Sequence, residues 1–386
     1  MRIRNRMSPA AADTTVVSSE VGFSRGVPLP FSAAPSQSKF GSIWAAPGVR
    51  GTTWLQLCML LLATGSLIAQ QVKPPVPSID TRWIESLGGR ITRDAQGRVT
   101  GVSLSGTWVG DADLRHLNEL PDLSVLDLSL THVTDQGMSE IKSLPGIVDL
   151  NLYFAEYVTD EGIASIKDWK KLKRLNLHGT KISDNGLEHI AGIAALESLN
   201  VGNTLMTDVG LERLTSLLNL KELTMGGNEL GDAGLQALRQ MPGLTYLDLS
   251  GRQGTDKNVW TIAMSETGLE AVLTLKELRE LRFSCVSIGV GIEGTKLGDV
   301  SPLIVTPKWL EQMKSLSKLE RLKLQGCGRI DDASIGVLAE MPALREVDLQ
   351  GTGVTEQGAA KFRAGKPSAG IYFGPWEGKS AAYRNN

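Results

Sequence analysis

The sequence predicts an α/β solenoid, in which short strands form one parallel sheet and short helices cover its other side. Three observations predict this fold class. The apolar residues between Leu172 and Ala195 follow first the spacing of a strand, at Leu172, Leu175 and Leu177, and then the spacing of a helix. The same block recurs along the chain, mostly every 24 or 25 residues. One strand and one short helix cannot bury their own apolar side, so the unit is stable only when it stacks on copies of itself.

About ten such units follow from the first apolar residue of each strand. They begin at Val99, Leu123, Ile147, Leu172, Leu196, Leu220, Leu244, Leu278, Leu319 and Leu344. Two units are longer because of insertions at 252–265 and 286–308. Both insertions enter between strand and helix, so they should project from the same edge, and long loops in a tight array are often functional. Trp260 and Trp309 border this region and are candidate binding residues; the alternative is that they pack the loops onto the body of the protein.

The block L-x-x-L-x-L, followed by T-D-x-G-L, resembles the repeats of leucine-rich repeat proteins over about residues 99–366. This variant is similar to repeats of bacterial extracytoplasmic proteins and, more distantly, to the cysteine-containing repeats of F-box proteins. The resemblance implies a leucine-rich-repeat solenoid, with a curved parallel sheet on the concave side and short helices on the convex side. It also implies a binding scaffold.

A Thr-Asp or Ser-Asp pair opens the helix of four successive repeats, for example Thr207-Asp208, and Gly231-Asp232 is a weaker version of it. A row of carboxylates could suggest bound calcium, but helix capping explains it better. The hydroxyl and the adjacent carboxylate satisfy exposed helix N–H groups and complement the helix dipole. The glycine that follows, such as Gly210, is expected to permit close stacking of neighbouring units.

The N-terminal part lies outside the repeats. Residues 1–48 are rich in Ser, Ala, Pro and Gly and are expected to be disordered. Residues 49–70 place Arg50 before an apolar run that is short for a membrane span, which predicts a cleaved signal peptide and no stable span afterwards. An uncleaved anchor and an internal buried helix are the alternatives.

The two open ends of the solenoid need covers. Residues 71–98 contain a proline-rich linker, a short helix and a hairpin, and we expect the helix and hairpin to form the N-terminal cap. Residues 367–386 form the C-terminal cap and tail, in which Ile371 and Phe373 would add one edge strand.

Charge and cysteine content exclude several classes of function. The formal net charge is −2 and no basic stripe emerges, which argues against nucleic acid as a partner. The cysteines form no metal-ligand pattern, so we predict no metal and no cofactor. We favour a buried thiol at Cys327, which occupies the turn position of a threonine in other repeats. A disulfide with Cys285 is the alternative in an oxidising compartment.

The residues between the leucines of each strand should point to the concave face. Strands about 4.8 Å apart would give ten units a face of roughly 45 Å, which suits a protein or extended polymer ligand. Tyrosine and arginine dominate interface energetics, and this guides the choice of binding candidates. On the face itself, the candidates are Tyr153, Arg174, His178, Tyr246, Arg282, Arg321 and Lys323.

No histidine stands at a meaningful spacing from a nucleophile or metal ligand, so we predict that the protein is not an enzyme. The favoured hypothesis is an exported, extracytoplasmic, monomeric binding scaffold in the periplasm, at the cell surface or secreted. It would recognise a protein or glycan through the concave face and the edge with the insertions. A substrate receptor of a ubiquitin ligase, or a structural envelope component, is the alternative.

Overall fold

The computed structural model describes residues 80–144, 146–251, 253–254, 259–260, 262–285 and 304–375, which belong to the second of two compact units, Pro74–Asn386. The strands are β1 Arg90–Arg93, β2 Val99–Ser103, β3 Val125–Asp127, β4 Asp149–Asn151, β5 Arg174–Asn176, β6 Ser198–Asn200, β7 Glu222–Thr224, β8 Tyr246–Asp248, β9 Gln253–Gly254, β10 Val259–Trp260, β11 Glu280–Ser284, β12 Arg321–Gln325, β13 Glu346–Gln350 and β14 Gly370–Gly374. The α-helices are α1 Arg82–Ser86, α2 Asp135–Glu140, α3 Asp160–Ala164, α4 Asp184–Ala191, α5 Asp208–Arg213, α6 Asp232–Leu235, α7 Glu266–Val272, α8 Pro307–Met313, α9 Ile335–Glu340 and α10 Glu356–Gly365. The 3-10 helices are Asp111–Glu119, Leu214–Ser216, Gln236–Gln240 and Asp332–Ser334.

Strands β1 to β8 and β11 to β14 form one sheet of twelve strands in chain order. Strands β1 and β2 pair antiparallel, and every later neighbour in this sheet pairs parallel. Leu126, Leu150 and Leu175 lie side by side in register, because each repeat places its buried leucine at the same strand position. The predicted α/β leucine-rich-repeat solenoid is confirmed.

The hydrophobic core runs between the sheet and the helices. In the second repeat, Leu126 and Leu128 of the strand block are buried together with Met138 and Ile141 of the helix side. The same pattern continues from Ile84 near the N-terminal end to the last helix. Each repeat therefore buries its apolar side against the next one, as a solenoid requires.

Each Thr-Asp pair joins two repeats. Thr207 caps α5, since its hydroxyl accepts a hydrogen bond from the Val209 N–H (3.3 Å). The carboxylate of Asp184, one repeat earlier, accepts from the Thr207 N–H (2.9 Å) and hydroxyl (2.7 Å). The same pair of bonds links Asp111 to Thr134, Asp135 to Thr159, Asp160 to Ser183, Asp232 to Ser265 and Asp332 to Thr355. The predicted capping by Thr and Ser is confirmed, whereas the bond from each aspartate to the next repeat is a feature that the sequence analysis did not predict.

The glycine of the motif makes room for this carboxylate. A Cβ atom built on Gly210 would lie 2.3 Å from Oδ1 of Asp184, well inside van der Waals contact. The corresponding distance to the preceding aspartate is 2.0–2.5 Å at Gly137, Gly162, Gly186, Gly234, Gly268 and Gly358. The predicted close stacking is therefore confirmed, and its cause is the aspartate of the preceding repeat.

The repeat that carries the second insertion departs from this motif. Pro307 takes the position of the aspartate and Trp309 the position of the glycine. Trp309 is only 4% exposed and packs in the hydrophobic core, so its interpretation as a binding residue is wrong and the packing alternative holds. Trp260 lies in β10, and its side chain is outside the described part of the structure.

A disulfide bond joins Cys285 and Cys327 at the end of strands β11 and β12. Our favoured interpretation of Cys327 as a free buried thiol is therefore wrong. The five-residue register of the two strands continues past Ser284, where the Cys285 N–H donates to the Gln325 carbonyl (3.0 Å). This pairing brings the two Cα atoms to 4.5 Å, within the range that a disulfide bridges.

Short elements lie at the two ends of the sheet. At the N-terminal end, α1 precedes the β1–β2 hairpin; its N-cap is Thr81, and the Asp80 carboxylate pairs with Arg82 (2.7 Å). At the C-terminal end, β14 pairs with β13 and places Ile371 and Phe373 against the core. The predicted segments 1–48 and 49–70 lie outside the described residues, as does most of 286–308. None of the helices in the described ranges is long and apolar enough to cross a membrane.

Candidate functional site

The outer face of the sheet, opposite the helices, carries the predicted binding residues in three rows. The first row contains Val125, Asp149, Arg174, Ser198, Glu222, Tyr246, Glu280, Arg321 and Glu346. The middle row contains Asp127, Asn151, Asn176, Asn200, Thr224, Asp248, Arg282, Lys323 and Asp348. The last row follows two residues later and contains Ser129, Tyr153, His178, Gly202, Gly226, Ser250, Ser284, Gln325 and Gln350.

Most of the middle row has a structural task. The side-chain oxygen of Asn176 accepts a hydrogen bond from the backbone N–H of His178 (3.1 Å), and Asn200 does the same for Gly202 (3.0 Å). The same bond is made by Asp127, Asn151, Asp248 and Asp348. These side chains satisfy backbone donors where each strand ends. Their recurrence therefore reflects strand geometry and gives no indication of a ligand.

Tyr153 and His178 of the last row, in the third and fourth repeats, form an aromatic cluster with Phe154, which follows Tyr153 in the chain. The rings of Tyr153 and His178 stack at 5.1 Å, and Phe154 contacts the Tyr153 ring edge-on at 4.7 Å. His178 leans over Gly202, where a Cβ atom would lie 2.6 Å from its Nδ1. Burial lowers the pKa of His178, although a hydrogen bond with Asn200 acts in the opposite direction.

Arg174 does not join this cluster. It lies in the first row, four residues before His178 on the same strand path, which is about 13 Å along the strand. Its guanidinium forms an ion pair with Asp149 (2.8 Å) and stays half exposed. The predicted group of Tyr153, Arg174 and His178 is therefore split between two ends of the strands.

A charge cluster of Tyr246, Asp248, Glu280, Arg282 and Arg321 lies on strands β8, β11 and β12. The buried Glu280 carboxylate accepts hydrogen bonds from Arg282 (2.6 Å) and Arg321 (2.5 Å). The Arg282 guanidinium also lies over the Tyr246 ring, 5.0 Å from its centroid, and 3.7 Å from the Asp248 carboxylate. The structure thus brings together three of the predicted binding residues, Tyr246, Arg282 and Arg321.

The positive charges of this cluster are balanced from within. Burial by itself would raise the pKa of Glu280, but the bonds and charges of Arg321 and Arg282 hold it below its ordinary value. The pKa of Asp248 is raised, because its burial outweighs the hydrogen bonds from Ser250 and the charge of Arg282. Both guanidinium groups already pair with buried carboxylates, so they are less available to bind a partner than the sequence alone indicates.

Lys323 borders the charge cluster. In register it lies between Arg282 on β11 and Asp348 on β13. The Lys323 side chain is half-buried, in contrast to exposed lysines such as Lys171. The cluster and Lys323 together form a compact region at the C-terminal end of the face, with three cationic side chains and two carboxylates.

An edge column, which the sequence did not lead us to predict, is formed by Trp108, His132, Tyr157 and Lys181. These side chains stand on the edge between strand and helix, one in each of the first four repeats. Trp108 and His132 stack at 5.2 Å with nearly parallel planes (3°), and His132 and Tyr157 stack at 5.6 Å. The Lys181 ammonium lies 5.7 Å from the Tyr157 ring centroid. The signal was present, since each residue directly precedes a buried Val or Ile at the same repeat phase.

A second missed feature is the turn position just before the edge column. Glycine with a positive φ fills it at Gly106, Gly179, Gly227, Gly251, Gly326 and Gly351. Leu130 (φ 55°), Phe154 (φ 52°) and Asn203 (φ 51°) adopt the same left-handed conformation with a side chain. Leu130 is 54% exposed, so little burial offsets the cost of this backbone conformation, which is about 1–2 kcal/mol for an L-residue.

Three segments of the chain, residues 119–142, 170–191 and 216–238, match the model of a family described as Leucine Rich repeat. No curated protein matches the chain. Among solved structures, an internalin C2 from Listeria monocytogenes str. 4b F2365 shares 20% identity (TM-score 0.41) over 65% of this chain and 94% of its own. An internalin (inlF) from the same strain shares 16% identity (TM-score 0.34) over 76% and 93%.

The leucine-rich repeat ectodomain of the Arabidopsis receptor kinase HAESA, solved in complex with a peptide hormone, is a further similar structure. It shares 16% identity (TM-score 0.41) over 68% of this chain and 40% of its own. Identities and scores this low say nothing about ligand or function.

Proposed function

Because this chain is a leucine-rich repeat protein, we propose that it is an exported, non-catalytic scaffold that binds another protein through the outer face of its sheet. The observation that carries the proposal is the extent of that face. Twelve strands at about 4.8 Å give it a length of roughly 50 Å. Such a face is too long and too open for a small molecule, and it matches the dimensions of a protein interface.

The aromatic cluster is the anchor of the proposed interface. Tyr153 and His178 are half-buried side chains whose positions are fixed by stacking, so they lose little conformational freedom when a partner binds. Tyrosine is also enriched among residues that dominate binding energy. The charge cluster has the role of a flanking region, because its arginines are already engaged with Glu280. Most residues of the two insertions, 252–265 and 286–308, lie outside the described part of the structure.

Two observations support export. Residues 49–70 have the composition of a signal peptide. The Cys285–Cys327 disulfide persists only where the environment is oxidising, as in the periplasm or outside the cell. The disulfide also speaks against the ubiquitin-ligase alternative, since such a receptor acts in a reducing compartment.

The binding proposal is tested with the immobilised protein and an extract of its native envelope, followed by crosslinking and identification of the captured protein. We expect Tyr153→Ala with His178→Ala to weaken the affinity for that protein by about thirtyfold and to lower its recovery accordingly, since hot-spot truncations cost about 2 kcal/mol or more. Ser198→Ala, a small change on the same face, is the matched control. Equal recovery with the double variant would refute the site, and capture of a glycan alone would refute the partner class.

Location is tested separately. After fractionation of the native cells, export predicts the protein outside the cytoplasm, with Cys285 and Cys327 blocked to a thiol reagent until a reductant is added. A cytoplasmic protein with two reactive thiols would refute export and leave the binding face to be tested by itself.

A further inference from the structure

The edge column of Trp108, His132, Tyr157 and Lys181 lies apart from the outer sheet face. It carries the most exposed aromatic side chain of the described residues, Trp108 at 83%, together with Tyr157 at 50%. In the later repeats the same position carries Leu205, Glu229, Arg329 and Gly353. The aromatic character is thus confined to one end of the solenoid. Packing inside the protein does not account for it, because burial of these rings is small.

The neighbouring turn strengthens this point. Leu130 lies two residues before His132, with the buried Thr131 between them. Its backbone is left-handed, and its large apolar side chain projects into solvent. Glycine in other repeats makes the same turn without that cost. Strained, exposed apolar residues beside an exposed aromatic row indicate a contact surface.

The stacking decides which chemistry the column offers. His132 stacks with both Trp108 and Tyr157, and the Lys181 ammonium lies over the Tyr157 ring. Stacking occupies ring faces and leaves the rims of the rings to a ligand. A sugar binds aromatic side chains through their faces, so rings that stack on one another favour a ligand that binds at the rims over a glycan.

The rims are electropositive and rich in donors. The edge of an aromatic ring carries the positive part of its quadrupole. To this the column adds the Trp108 indole N–H, one N–H of His132, the Tyr157 hydroxyl and the Lys181 ammonium. The ring centroids follow one another at 5.2 and 5.6 Å, and the Lys181 ammonium lies 5.7 Å from the last of them, one group per repeat. A row of donor-bearing groups, one per repeat, is complementary to a row of carboxylate and carbonyl oxygens.

We propose that the edge column is a second binding surface, distinct from the sheet face, which takes an extended acidic segment of a partner protein. Carboxylates of the segment lie along the ring rims and end at Lys181, while an apolar side chain rests on Trp108 beside Leu130. Glu156, exposed and directly before Tyr157, opposes this charge pattern and weakens the interaction. All these groups are exposed, so the interaction is modest and falls with added salt.

The test uses the full chain and a fluorescein-labelled decapeptide of alternating glutamate and alanine, measured by fluorescence anisotropy at low salt. Peptides with glutamine or lysine in place of glutamate, and a neutral β-linked hexasaccharide, are the comparison ligands. We expect the glutamate peptide to bind best and Trp108→Ala or Lys181→Ala to weaken it by about threefold to fivefold. Lys171→Ala removes the same charge from an exposed lysine away from the column and is the matched control.

Glu156→Gln gives an effect of the opposite sign, a tighter complex, which loss of folding cannot imitate. Binding that is equal for the glutamate and glutamine peptides, or unchanged in both Trp108→Ala and Lys181→Ala, would overturn the proposal. Binding of the hexasaccharide alone would overturn it as well. Tyr153→Ala leaves the peptide affinity unchanged, so this result is independent of the interface on the sheet face.

Discussion

Replacing Gly210 with alanine separates intrinsic helix propensity from the packing of the repeats. Gly210 lies in α5 and is not among the residues with positive φ, so propensity alone predicts a gain of about 1 kcal/mol for alanine. The structure predicts the opposite sign. The new Cβ would lie 2.3 Å from Oδ1 of Asp184 and 2.7 Å from Cδ1 of Leu187, so the carboxylate must move.

The size of the loss follows from the bonds that this movement breaks. Asp184 accepts two hydrogen bonds from Thr207, and a bond to a charged group contributes at least about 1.5 kcal/mol. Loss of both costs about 3 kcal/mol, from which the propensity gain of about 1 kcal/mol is subtracted. We therefore expect Gly210→Ala to lower the free energy of unfolding by about 2 kcal/mol.

The measurement is urea-induced unfolding, followed by circular dichroism and tryptophan fluorescence and compared at the transition midpoint. Gly336→Ala in α9 is the matched control, because a Cβ at Gly336 meets no atom within 4 Å. It should stabilise the protein by up to about 1 kcal/mol. Adding Asp184→Ala to Gly210→Ala removes the clash, so the pair should lose less than the two single changes added together. Equal stabilisation by Gly210→Ala and Gly336→Ala would refute this reasoning.

Three further predictions concern stability. Because burial lowers the pKa of His178 from 6.5, the native state binds fewer protons than the unfolded state. The contribution of His178 to stability is therefore complete above about pH 7 and declines as the pH falls. Melting temperatures from pH 8 to 5 should depend less on pH in His178→Phe than in the parent protein, and identical slopes would contradict this. Removing the disulfide with Cys285→Ser and Cys327→Ser should cost about 4 kcal/mol from chain entropy, given its separation of 42 residues; an unchanged urea midpoint, with or without reductant, would contradict that. Leu130→Gly should stabilise by about 1 kcal/mol by relieving the left-handed backbone, whereas the buried Leu128→Ala should destabilise by about 2–5 kcal/mol; destabilisation by Leu130→Gly in thermal unfolding would show that its side chain packs.

The periodic pattern was sufficient to predict the sheet, its register and the helix caps. Buried leucines such as Leu150 and Leu175 must face the core. Because side chains alternate along a strand, this requirement also determines which residues point to the opposite face. Thr207 and its equivalents cap helices through bonds that span two residues. Features of this kind depend on local spacing, which the sequence displays directly.

The candidate binding residues were predicted less well. The alternation of apolar and polar residues along a strand shows which face a side chain lies on, but it does not show which side chains of neighbouring strands it contacts. Arg282 was predicted as an anchor for a ligand, but it lies two residues after Glu280 on the same face of β11 and bonds to that carboxylate. The register of β11 and β12 places Arg321 at the same carboxylate. Trp309 was predicted at a functional edge. It takes the motif position that is glycine in other repeats, and the preceding repeat has no aspartate to occupy the adjacent space. The Trp309 side chain is therefore accommodated in the hydrophobic core.

The sequence by itself determined that this chain stacks similar units, how many residues each unit takes and which side of each strand is buried. Tertiary structure alone decided which side chains of one unit meet those of the next: Asp184 with Thr207, Cys285 with Cys327, Trp108 with His132. Those partners are 23 to 42 residues apart along the chain. The spacing between stacked strands brings them together, and that distance belongs to the assembled sheet and to no single repeat.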